Sequence, residues 1–244
     1  MFNLKNVKNI AIIGANGAIG QALINTLSKQ CPQADIHAFS RTPIQTTQKN
    51  VFPHIINYLD EQNIQQSAQT ATQTKPLDLV MVATGMLHNP EIMPEKSMRE
   101  ITADKMTELF TVNTVAPSLI AKHFLPSMHH NKPILFAALS ARVGSVSDNY
   151  LGGWYAYRTS KAALNMMIKT FAIEMARTNK ESIIIGLHPG TVKSSLSKPF
   201  QKNVKPEKLF SPEFSSKQLI QTIQTKTHAD TGKVFAWDDT EIKP

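Results

Sequence analysis

The sequence predicts an α/β fold, a doubly wound parallel sheet of about seven strands with helices on both faces. Three observations predict it. Apolar runs of strand length alternate with longer amphipathic stretches along the whole chain. Several runs are continuously apolar, AIIG, DLVMVA, ILFAAL and IIIGL among them. Strands covered by helices on both faces read in this way. The first run ends in a glycine-rich turn that opens directly into a helical pattern.

Strand candidates fall at 9–14, 35–39, 54–59, 77–83, 133–139, 182–188 and 233–237. Helical patterning falls at 18–30, 61–73, 103–129, 154–179 and 213–226. Such alternation implies right-handed crossovers and parallel neighbours. No repeat or low-complexity linker divides the 244 residues, so one domain spanning 1–244 is expected. Two long loops stand out, 85–102 with Pro90 and Pro94, and 189–212 with Pro189, Pro199, Pro206 and Pro212. Loops of that length in a compact domain tend to bind or cover ligands.

Composition narrows the function classes. The one cysteine, Cys31, excludes a disulfide framework and any site built on two cysteine ligands. A single free thiol suits a reducing compartment, so a cytoplasmic location is expected. The N-terminal apolar run Ile10-Ala11-Ile12-Ile13 stops at Gly14, short of the roughly 7–15 residues of a signal-peptide core. No stretch approaches the roughly 18 apolar residues of a membrane span, so no membrane partner is expected. The net charge is +8, but the lysines are scattered and form no block. That pattern suits the approach of an anionic small molecule better than a nucleic acid. The eight histidines show no metal-ligand spacing, and no metal is expected.

The glycine turn reads Gly14-Ala15-Asn16-Gly17-Ala18-Ile19-Gly20. Strand, glycine turn and helix in that order form the context of a dinucleotide fingerprint in a Rossmann-type domain. Glycine lets the backbone approach a phosphate, and the helix N-terminus offers free N–H groups and partial positive charge. Gly14, Asn16, Gly17, Ile19 and Gly20 are the cofactor candidates here. About 20 residues on, a carboxylate would bind the ribose hydroxyl of NAD, whereas an arginine accommodates the 2′-phosphate of NADP. This chain has Ser40-Arg41 there and no carboxylate at 39–42, so NADP(H) is expected. Asp60 ends the third strand candidate. It either accepts a hydrogen bond from the adenine amino group or caps the helix that starts at Glu61.

Tyr157 and Lys161 lie four residues apart, on one face of a strongly patterned helix in which Leu164, Ile168, Phe171 and Met175 face the core. A free phenol, with a pKa near 10, is a poor acid–base group at neutral pH. A lysine ammonium beside it is expected to lower that value and let the tyrosine exchange a proton with a carbonyl or alcohol oxygen.

With these residues in order, the chain resembles the short-chain dehydrogenase/reductase superfamily along its length. The motifs are the glycine turn 14–20, Asn113 in Thr111-Val112-Asn113-Thr114, Tyr157 with Lys161, and Pro189-Gly190-Thr191-Val192. The run from Gly153 to Asn165 and the segment Gly232–Asp238 are most similar to C-factor-like and sniffer-like carbonyl reductases. The resemblance implies an NADP(H)-dependent oxidoreductase that reduces a small ketone, aldehyde or quinone, or oxidises the matching alcohol. It implies that Tyr157 exchanges the proton, that Lys161 holds the nicotinamide ribose, and that Asn113 bends its helix and anchors a proton-relaying water. It places the cofactor against Ala83 and Gly85, and against Pro189, Gly190, Val192 and Ser194. It also implies a homodimer or homotetramer. Apolar helix faces at 104–125 and 162–176 would pair between subunits or simply cover the sheet.

Two positions depart from the pattern. The family's Ser-Ser-x-x-Gly is replaced by Ser140-Ala141-Arg142-Val143-Gly144, which puts Ala141 in the slot of the carbonyl-binding serine. Ser140 is the expected substitute and Ser145 the fallback. Val82-Ala83-Thr84-Gly85 replaces Asn-Asn-Ala-Gly but keeps the glycine. The absent serine and the C-factor-like character leave open an alternative, an NADP(H)-binding regulatory or signalling protein with little turnover.

Overall fold

Asn9–Ile13, buried along its whole length, forms strand β1 inside the sheet. The computed structural model describes residues 1–244, the side chain of residue 203 excepted. After β1 come helix α1 (Ala18–Gln30), β2 (Asp35–Ser40), β3 (Val51–Ile55), α2 (Glu61–Ala71) and β4 (Leu79–Val82). Then follow α3 (Ala103–Phe110), α4 (Ala116–Phe124), β5 (Ile134–Leu139), α5 (Tyr155–Met175) and β6 (Ser182–His188). The chain ends with β7 (Thr191–Val192), β8 (Leu209–Phe210), α6 (Pro212–Thr225), β9 (Val234–Ala236) and β10 (Glu241–Ile242).

The main sheet has eight strands in the order β10-β9-β6-β5-β4-β1-β2-β3. Seven parallel strands match the number the sequence predicts, and β10 adds an eighth, antiparallel to β9. At two residues, β10 is too short to carry a pattern. The small strands β7 and β8 pair with each other. Within β1, Ile10 and Ile12 face α1 and α6, while Ala11 and Ile13 face α2, α4 and α5. That period of two is why a continuous apolar run was needed. From β1 the chain winds outward to β3 and then crosses back to β4 on the other side. Such a reversal opens a crevice beyond the carboxyl ends of the two strands.

Two expected elements differ. The third strand is Val51–Ile55, not 54–59, because Asn57–Asp60 folds into a turn in which Asp60 caps α2. Pro53 is tolerated there because β3 is an edge strand and needs no N–H donor on its open side. The long helix expected over 103–129 is interrupted by a π-helical segment, Thr111–Val115, and closes in a 3-10 turn at Leu125–Ser127. The cause of the interruption lies in the site.

Candidate active site

A cavity of about 340 Å³ opens at the carboxyl ends of the central strands. One end is formed by Gly17, Ala18 and Ile19 of the glycine turn and by Ala83, Thr84 and Gly85 after β4. The other is formed by Ser140–Val143 after β5, by Trp154, Tyr157 and Lys161 of the α5 region, and by His188–Val192. Ser194–Ser197 and Phe200 cover it.

The glycine turn has the shape a phosphate cradle requires. Gly14 has φ +85°, and a Cβ there would lie 2.8 Å from the Ala83 carbonyl carbon. Gly20 lets the first turn of α1 sit against the Gly14 carbonyl with no side chain between. Gly17 is the N-cap of α1 and has no side chain to occupy the free N–H groups. Beside this end, Thr84 Oγ1 is buried with no hydrogen-bond partner, a polar atom waiting for a ligand group. A cavity running from an uncapped helix N-terminus to a phenol and a lysine fits an extended dinucleotide.

The other cofactor candidates divide. Ala83, Gly85, Pro189, Gly190, Val192 and Ser194 line the cavity with Tyr157 and Lys161. Gly14 and Gly20 stand behind the turn. Asn16, Ser40, Arg41 and Asp60 lie outside the cavity wall. Asn16 donates to Thr42 Oγ1 at 2.8 Å, and Ser40 donates to the Thr42 carbonyl. The Arg41 side chain is exposed, 6.0 Å from the Tyr58 ring centroid. Burial pushes the Tyr58 phenol up to about 12, with Arg41 and the Gly14 backbone pulling the other way. Asp60 caps α2, its Oδ1 accepting from Asn63 N at 3.1 Å.

Asn113 accounts for the π-helical segment. Its amide accepts from Met86 N and donates to Met86 O, both at 2.8 Å, and also donates to Ser160 Oγ at 3.1 Å. Meeting a backbone 27 residues away adds a residue to the helical turn, as π segments do at functional sites. The loop after Gly85 is thereby clamped to α3 and α5. Gly85 sits between the two polar groups: a Cβ there would be 3.4 Å from Lys161 Nζ and 3.5 Å from Asn113 Oδ1.

Lys161 is buried and donates from Nζ to Leu139 O at 2.9 Å, with Nζ 6.0 Å from the Tyr157 ring centroid. Gly144 backs onto it, since a Cβ at 144 would come within 2.8 Å of the Lys161 carbonyl carbon. Burial lowers Lys161 from 10.5 to about 8 and raises Tyr157 from 10 to about 12. The phenol therefore moves opposite to the sequence expectation, because burial disfavours the phenolate. It stays protonated at neutral pH, which is the form of a proton donor.

Ser140 lines the cavity, but its hydroxyl proton goes to Asn165 Oδ1 at 2.6 Å, so it has none to give a carbonyl. Ser145 is buried away from the cavity, where its Oγ accepts from Asp148 N at 3.1 Å. Ala141 offers only a methyl group.

Several lining residues carry no signal in the sequence. Trp154 is the N-cap of α5 with φ 52° and ψ 44°, after two further left-handed residues, Gly152 and Gly153. For a non-glycine residue that conformation is strained and has to be held. The buried Glu95 holds it, with its carbonyl accepting from Trp154 N at 2.6 Å and Oε2 from Ala156 N at 3.2 Å. Trp154 thereby meets Tyr157 edge-on at 6.2 Å and Phe200 at 5.1 Å. His188, at the end of β6, is another. These residues come from separate loops and meet only in the fold.

The family model for short chain dehydrogenases matches residues 8–205. The chain belongs to the short chain dehydrogenase family. Among curated relatives of this family, the C-signal of Myxococcus xanthus is 28% identical over 137 residues, covering 56% of this chain and 77% of the relative. A benzil reductase ((S)-benzoin forming) of Bacillus subtilis is 24% identical over 245 residues, covering 92% and 96%. Two solved structures share the fold. NADPH-bound carbonyl reductase from chicken fatty liver has TM-score 0.82 at 21% identity, covering 98% of this chain and 99% of that one. Carbonyl reductase Sniffer of D. melanogaster has TM-score 0.82 at 21% identity, covering 98% and 100%. Short chain dehydrogenases are oxidoreductases that use nicotinamide cofactors. Among the described residues, no helix is long and apolar enough to cross a membrane.

Proposed function

We infer that the protein is an NADP(H)-dependent carbonyl reductase acting on a small ketone, aldehyde or quinone. The observation that carries this reading is the single cavity joining the glycine turn to Tyr157 and Lys161. The bound cofactor supplies hydride to the carbonyl carbon, and the chain supplies orientation and the proton. Tyr157 donates that proton to the carbonyl oxygen. The neutral phenol is the form that has a proton to give. Lys161 anchors the ribose and contributes positive charge beside the phenol. Asn113 positions the Met86 loop and Gly85 against the cofactor. NADP(H) over NAD(H) rests on the exposed Arg41 and the lack of a carboxylate at 39–42.

NADPH oxidation followed with a panel of ketones, aldehydes and quinones tests this. Tyr157→Phe is expected to abolish turnover while NADPH still binds. Arg41→Ala is expected to weaken NADPH by about 10–100-fold, the worth of charge-assisted bonds to a phosphate, and to leave NADH unchanged. A second reading, a cofactor-binding regulatory protein with little turnover, is favoured by Ala141 and by the likeness to C-signal. No turnover on any substrate, with NADPH bound tightly, would decide for it. The whole chain acts as one domain in either reading.

A further inference from the structure

Two polar atoms in the cavity wall are buried without a hydrogen-bond partner, Thr84 Oγ1 and His188 Nδ1. Such atoms in a native fold call for an explanation. Thr84 follows β4, next to Gly85, on the cofactor side. His188 ends β6, which pairs with β5 through Leu139 and Leu187, and Ser140 N donates to Leu187 O at 2.8 Å. His188 therefore stands beside Ser140, at the strand ends that border the cavity with Tyr157.

A carbonyl oxygen that accepts a proton from Tyr157 has a second lone pair to satisfy. Three neighbouring polar groups on this wall are committed. The Ser140 proton goes to Asn165, Arg142 pairs with Asp148 at 3.2 Å, and Lys161 Nζ is held by Leu139 O. We propose that His188 is a catalytic residue, donating from Nε2, the ring nitrogen the fold leaves open, to the reacting oxygen the hydrogen bond that Ala141 cannot give. This rests on the carbonyl-reductase reading and deepens it. Hydride adds to the carbonyl carbon, the C=O π pair moves to oxygen, and Tyr157 delivers the proton that completes the alcohol. His188 keeps its own proton and stabilises the charge as it develops on oxygen. Burial, with Arg142 pushing the same way and Asp238 opposing, holds His188 near a pKa of about 4. At neutral pH the ring is uncharged and has one N–H to give.

The test uses benzil, the diketone named in the Bacillus subtilis relative. NADPH oxidation reports its reduction. Tryptophan fluorescence in the NADP⁺ complex, where no turnover occurs, reports its binding. His188→Ala is expected to lower kcat/KM by about 10²-fold, mainly in kcat, as loss of an oxyanion donor does. It is expected to weaken benzil binding by roughly fivefold and to leave NADPH affinity unchanged. Adding Ala141→Ser to His188→Ala is expected to restore most of the loss, and His188→Gln to fall between. Unchanged kcat and benzil affinity in His188→Ala overturn the proposal. So does an equal loss of NADPH affinity, failure of Ala141→Ser to rescue a folded His188→Ala protein, or a wild type that does not bind benzil. The two readings separate cleanly. A wild type that binds benzil through His188 but never reduces it sinks the reductase and keeps the hydrogen bond. Reduction that ignores His188→Ala does the reverse.

Discussion

Lys161 carries the clearest pH signature of any single residue. Its pKa falls from 10.5 to about 8 on burial, so the ammonium is present below about pH 8 and lost above it. Reductive kcat/KM is expected to decline as pH rises through about 8, and a pH–rate profile checks this. Stability should move the other way. Between about pH 8 and 10.5 the unfolded chain binds a proton that the folded one has released, so this group stabilises the fold increasingly as pH rises. Urea midpoints of wild type should therefore gain on those of Lys161→Met across that window. Gly14→Ala is a second prediction at this scale. A left-handed backbone and a Cβ driven into the Ala83 carbonyl should cost at least about 1–2 kcal/mol and abolish NADPH binding. Thermal midpoints and a fluorescence titration of NADPH report the two effects. Tyr157 and Lys161 were legible because a spacing of four is a local property of a helix. The direction of their pKa shifts was not, because desolvation depends on what the loops cover.

Among elements, the interrupted helix around Asn113 is the one most tied to function. Replacing Asn113 by Leu leaves both Met86 backbone groups without partners, for about 1–3 kcal/mol each. The expected result is a lower urea midpoint together with weaker NADPH binding, since the Gly85 loop is released. Unchanged NADPH affinity in a folded variant would show that the clamp does not serve the cofactor. Helical periodicity read 103–129 as one helix because the backbone on both sides of the π segment stays right-handed helical. Its cause is a bond to a residue 27 positions away, which no local pattern reports. The seven parallel strands were legible because each needs both faces apolar. The third slipped by three to four residues, since an edge strand lacks that requirement and Asn57–Asp60 draws the chain into a cap.

At the scale of the whole molecule, acid should destabilise the fold. His37 and His188 are each lowered from 6.5 to about 4, mainly by burial, and His54 is lowered too. A base whose folded pKa is depressed takes up its proton first in the unfolded state, so stability falls as pH drops from about 6.5 toward 4. His37 Nδ1 and His54 Nε2, 3.0 Å apart across β2 and β3, share one hydrogen, and charging both rings ends that contact. Thermal midpoints at pH 7 and pH 5 should differ, and His37→Phe should reduce the difference. The order of the sheet was legible in outline, because the glycine turn after the first strand and the alternation of elements leave few topologies. The far wall of the cavity was not. Trp154, His188 and Phe200 approach one another only through Glu95, the β5–β6 pairing and the 193–212 segment. That division bears on re-engineering for new substrates. Since the absence of a side chain at 144 fixes where the lysine rests, a mutant library should spare that position. Val143 and Phe200, whose side chains line the cavity, are the sites to randomise.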